Sequence, residues 1–164
     1  MRPPRRPPSA FSLIENLFAT AIVALCFIAL YSLSSQALYQ VNSGREAVGA
    51  KQSLSDRMEL IRGCSWNQLT SATYLQNYVM KTSTSAEGRL GSPVETMTVN
   101  TYPTPQATAI QVIWSNGVAS TVSTNPAIAN GDIVRVDLSL TWVAVPGKRT
   151  RSQSRNTLVA RTAP

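Results

Sequence analysis

The chain has no histidine. The commonest general base and metal ligand near neutral pH is therefore missing, and most acid–base and zinc chemistry goes with it. Cysteine is nearly as scarce. Cys26 lies inside an apolar run and Cys64 beyond it, so a single exported thiol remains and no zinc constellation can be assembled. Well separated on what reads as one rising helix, the two are not expected to pair as a disulfide, even in an oxidising compartment. Charged residues make up only 14% of the chain, and the eight acids are scattered. Asp132 and Asp137 read as a turn residue and an outward strand position rather than as a hydrolytic carboxylate pair. Glycine-rich phosphate loops, Walker motifs and dinucleotide fingerprints are absent as well. The sequence thus points to no catalytic residue, no metal, no cofactor and no small-molecule substrate, and an enzymatic role is not expected.

What the chain does have is apolar, and it is concentrated. Ser9 to Leu33 reads SAFSLIENLFATAIVALCFIALYSL, with one carboxylate, Glu15, near its start. As a helix rising ~1.5 Å per residue, Phe11 to Leu33 reaches roughly 34 Å. That exceeds a hydrocarbon core of about 30 Å, so the segment is long enough to span. Arg2, Arg5 and Arg6 stand ahead of it among four prolines, a basic leader that the positive-inside rule keeps on the cytoplasmic side. The remainder would then face outward. A carboxylate in hydrocarbon costs on the order of 2.5 to 3.5 kcal/mol, so Glu15 calls for a partner or a shallow position among headgroups.

The junction Ala10-Phe11-Ser12-Leu13-Ile14-Glu15, with its basic leader and trailing apolar helix, resembles the processing site of type IV prepilins and pseudopilins. Ala10 stands where that family usually has Gly. The resemblance implies that a prepilin peptidase cuts before Phe11 and methylates the new amino group, which makes Glu15 the fifth mature residue. It also implies that Glu15 of one subunit pairs with the Phe11 ammonium of its neighbour and so sets the register of a filament. The expected setting is a bacterial inner membrane, crossed once, with the C-terminal domain periplasmic or extracytoplasmic. Expected partners are the peptidase, other pilin or pseudopilin subunits and the membrane itself.

At 164 residues the chain has room for one membrane helix and one domain of about 100 residues. The boundaries expected are a leader at 1–10, a membrane helix at 11–33, an amphipathic continuation at 34–63 and a β-rich domain at 64–164. Along the continuation, Ala37, Val41, Gly44 and Val48 line one face, and Ala47, Ala50, Leu54, Met58 and Ile61 extend a stripe at spacings of three and four. Lys51, Asp56, Arg57 and Glu59 fall mostly off the stripe, which places their charge in water. Gly44 and Gly49 mark either a bend or tolerated surface positions, and Gly63 a helix stop.

Beyond Gly63 the pattern is less regular. Cys64 to Gly91 is consistent with a second short helix or a packed loop, and Lys81 to Ser92 with an exposed loop. Strands are expected at Val94–Tyr102, Ala109–Trp114, Val118–Ser123, Ile133–Val145 and Arg149–Arg161, with Ser115-Asn116-Gly117 and Pro146-Gly147-Lys148 as turns. The clearest sets Val134, Val136, Leu138, Leu140, Trp142 and Ala144 on one face. The fold expected is α+β, a long N-terminal helix laid on a C-terminal antiparallel sheet of three or four strands whose apolar face it covers. The resemblance implies the same layout. The run Asp56 to Arg62, the strand ending Leu140-Thr141-Trp142 and the tail Thr157-Leu158-Val159-Ala160 are similar to minor pilins and pseudopilins as a group.

Three readings follow. In the first, the protein is a minor pilin or pseudopilin of a type IV pilus or type II secretion pseudopilus. In the second, a membrane anchor carries a β-domain of unrelated role. In the third, Lys148, Arg149, Arg151 and Arg155 form a basic patch on a DNA-uptake subunit. The formal charge of +7 falls to +4 without the leader arginines, too modest by itself to indicate nucleic acid. An edge strand guarded by charge explains the same residues and is preferred, so nucleic acid is not expected as a partner.

Overall fold

A computed structural model describes residues 13–81, 89–144 and 148–161. One helix dominates it. α1 runs unbroken from Leu13 to Arg62 and gives way at Gly63, whose amide donates to the Glu59 carbonyl at 3.2 Å. The chain divides into two compact units at the Val41–Asn42 bond, within this helix.

In the N-terminal unit every described residue is exposed. Long runs of Leu, Ile, Val and Phe cannot stay in water at that exposure, so the segment needs lipid or protein around it. α1 is long and apolar enough to cross a membrane. Two of its hydroxyls are satisfied within the helix: Thr20 Oγ1 donates to the Leu17 carbonyl at 3.0 Å and Ser35 Oγ to the Ser32 carbonyl at 2.9 Å.

In the C-terminal unit the remaining turns of α1 pack on a sheet. Ala50, Leu54, Met58 and Ile61 are buried, as their spacing suggests. Val48 points outward instead, Val41 of the N-terminal unit being exposed as well, and Glu46 and Gly49 lie on the buried face. The covered stripe is the one continued back from Ile61 by threes and fours, and Val48 falls off it. Two short helical turns follow, α2 at Trp66–Leu69 and α3 at Ala72–Tyr74, the latter running into a π-helical turn at Leu75–Val79. Leu69, Leu75 and Val79 close one side of the core.

Five strands complete the unit: β1 (Gly91–Thr101), β2 (Ile110–Ser115), β3 (Val118–Ser123), β4 (Ile133–Val143) and β5 (Thr150–Ala160). Their order is β3-β2-β1-β4-β5, and every neighbouring pair is antiparallel. The β2–β3 hairpin turns on Asn116 (φ 52°) and Gly117 (φ 80°), the left-handed pair that a two-residue turn needs to match strand twist. Alternation does the rest. Ile110, Val112 and Trp114 of β2, Met97 and Val99 of β1, and Val134, Val136, Leu138, Leu140 and Trp142 of β4 all bury toward the helix side. The fold is therefore α+β with a pilin-like architecture, and its sheet has five strands rather than three or four.

Candidate functional site

Two parts of the chain are candidates, and they lie in different units. The first is the apolar half of α1. Glu15 sits in its first turn, where helix amides favour a negative charge by about 0.3 to 1 kcal/mol. Ala10 and Phe11 lie outside the described residues. Along one face, Asn16, Ala19, Thr20, Val23, Ala24 and Phe27 line a shallow groove. Of these, Ala19, Thr20 and Ala24 are small enough to let a second helix approach closely.

The second part is a set of charges between α1 and the sheet. Arg57 is completely buried, and its Nη2 lies 2.7 Å from Glu95 Oε2 in β1. Its Nε approaches both Glu95 oxygens at 3.2 and 3.3 Å, and its Nη1 donates to the Val79 carbonyl. One guanidinium thus fastens helix, central strand and π-helical turn together. The expectation that Arg57 faces water is corrected here. It stands three residues after Leu54 and four before Ile61, on the buried stripe itself. Glu95 shares the parity of Met97 and Val99, so it too had to point inward.

A second contact lies farther back along α1. Trp142 Nε1 donates to Glu46 Oε2 at 3.3 Å, and Arg151 Nη1 lies 4.0 Å from the same oxygen while donating to Ser43 Oγ. Arg155 Nη1 donates to Ser55 Oγ at 3.0 Å. The basic residues of β5 therefore divide. Arg151 and Arg155 are turned to the helix serines, whereas Lys148 and Arg149 precede the strand and are exposed. On the opposite face of the sheet, Asp137 is paired with Arg135 at 2.8 Å. The Asp132 carbonyl accepts from the Arg161 amide at 2.7 Å.

Comparison with family models, with curated proteins and with solved structures finds no match.

Chemically the buried charges fasten the helix to the sheet. Each carboxylate named between helix and sheet is met by a donor at short range, and no group of three or more His, Cys, Asp or Glu is gathered among the described residues. Cys64, half-buried at the end of α1, donates through Sγ to the Leu60 carbonyl at 3.3 Å. Burial pushes its thiol above the ordinary range, away from the reactive thiolate.

Proposed function

We propose that the protein is a structural subunit, a minor pilin or pseudopilin, cleaved before Phe11 and packed by its helix into the core of a type IV pilus or type II secretion pseudopilus. The observation that carries this reading is the change of character along one continuous helix. α1 is apolar through Leu33 and exposed through Asn42, then buries Glu46, Ala50, Leu54, Arg57 and Ile61 on a sheet. A stem of that kind can be stored in lipid and later exchange lipid contacts for neighbouring stems. Hydrophobicity gains little in that exchange, because lipid tails are as apolar as leucine. Direction and stagger must come from polar contacts, and Glu15 with the freed ammonium of Phe11 is the pair that would supply them.

The partners in this reading are a prepilin peptidase, other subunits of the filament and the inner membrane. No catalysis is assigned to the chain. The basic-patch alternative is weakened by the engagement of Arg151 and Arg155 with Ser43 and Ser55. Mass spectrometry of the mature N-terminus tests the proposal. A chain beginning at methylated Phe11 supports it. A working protein that keeps its arginine leader, or is cut beyond Ser32, overturns it.

A further inference from the structure

Five cations gather at one end of the C-terminal unit. Gly91 at the start of β1 pairs with Val143 at the end of β4, and Val143 pairs with Thr150 at the start of β5. Arg89, Lys148, Arg149 and Arg151 therefore share one end of the sheet. The helix reaches the same end, since Arg151 is bonded to Ser43 and Arg89 lines a concavity with Asn42, Arg45 and Glu46. Arg45, Arg89, Lys148 and Arg149 are exposed, and the Arg151 side chain is 34% exposed. Glu46, the acid described there, is buried and already held by Trp142 and Arg151. The sequence places one more acid near, Glu87, and the end stays positive with it included.

This is also the end at which the chain arrives from its apolar segment, because Asn42 is the first residue of the unit. Arg45 follows Leu33, the end of the apolar run, by twelve residues, so this end of the unit is tethered close along the chain to the surface that the run enters, and a charge within about one Debye length of an anionic surface is attracted to it.

We propose that Arg45, Arg89, Lys148 and Arg149, with Arg151 held beneath them by Ser43 and Glu46, form a collar that binds the phosphates of anionic lipid headgroups, seating the exported domain on the bilayer before assembly. The proposal rests on the reading of α1 as a membrane helix. Guanidinium groups suit the ligand, since their fork of donors matches phosphate oxygens. Each cation held at an anionic surface contributes about fivefold to partitioning, so several together are decisive and their effect is salt-dependent.

The test uses the full chain in nanodiscs of neutral phosphatidylcholine, with or without about one-third phosphatidylglycerol, and reads hydrogen exchange in peptides covering 42–48, 89–91 and 148–151. The expected result is exchange slowed about threefold or more in the anionic discs, with the difference lost in high salt. The fourfold variant Arg45→Ser, Arg89→Ser, Lys148→Ser, Arg149→Ser should lose the lipid dependence. The pair Arg62→Ser and Arg161→Ser, set away from the collar, should keep it. Equal exchange in the two discs overturns the collar while leaving the membrane helix standing. Failure of the chain to enter discs at all overturns both. Protection of the same peptides by a DNA duplex in neutral discs, without any from anionic lipid, assigns the surface to nucleic acid and overturns the lipid proposal.

Discussion

Arg57 of the helix and Glu95 of the central strand meet as a fully buried ion pair, Nη2 to Oε2 at 2.7 Å, with side chains 0% and 2% exposed. Removing one partner leaves the other charge stranded in the core, which costs about 3 to 5 kcal/mol. Arg57→Met or Glu95→Gln alone should therefore lower the thermal midpoint of the detergent-solubilised protein sharply. Replacing both by apolar residues of similar size, Arg57→Met with Glu95→Leu, should recover most of the loss. A double variant as unstable as the worse single one would show that the Val79 carbonyl, rather than Glu95, is the partner that matters.

Gly44 and Gly49 pose a sharper question about the helix. A Cβ added at either position meets nothing within 4 Å, and α1 passes through both without a break. Packing does not require glycine there. Gly44→Ala and Gly49→Ala should each stabilise the folded chain by up to about 1 kcal/mol, read as a higher thermal midpoint. If filament incorporation falls as stability rises, these glycines serve a loosening of the helix during assembly. If incorporation is unchanged, the two glycines are merely tolerated, Gly44 on the surface and Gly49 on the buried face.

Cys64 gives a pH dependence. Its thiol is raised by burial, so above the ordinary thiol pKa the unfolded chain releases a proton that the folded chain keeps. The contribution to stability is intact at neutral pH and declines as pH rises past that ordinary value. Cys64→Ser should flatten the alkaline limb of a stability–pH curve. Iodoacetamide at pH 8 should label Cys64 more slowly in the folded protein than after denaturation.

Strand alternation made most of the sheet legible. The residues of β4 from Val134 to Trp142 alternate without interruption, and all those facing the helix are buried. The strand count is harder to read, because β3 carries Ser or Thr at half of its positions and presents Val118 and Val122 outward. Arg57 was misread for a different reason. By sequence it is set off the stripe with the other charges, although it stands three residues after Leu54 and four before Ile61, and the partner that allows its burial, Glu95, lies on a distant strand. Glu46 shows the same limit, since its partners Trp142 and Arg151 lie about a hundred residues away in sequence. The proposed cleavage junction stands apart. Ala10-Phe11 is legible only as a motif, and it lies outside the described residues.

Glu15 is the residue on which the assembly reading turns. It occupies the first turn of a helix long and apolar enough to cross a membrane, where a carboxylate costs on the order of 2.5 to 3.5 kcal/mol unless a partner or headgroups receive it. Removing the charge should make insertion easier, so Glu15→Ala is expected to remain in the membrane fraction at wild-type level or above. Its incorporation into sheared filaments or pseudopili should fall at least tenfold, the effect of losing about 1.4 kcal/mol of contact per subunit. Glu15→Asp, which keeps the charge but shortens the reach, should fall between the two. Unchanged incorporation of Glu15→Ala would place the carboxylate among lipid headgroups, with no part in joining one subunit to the next.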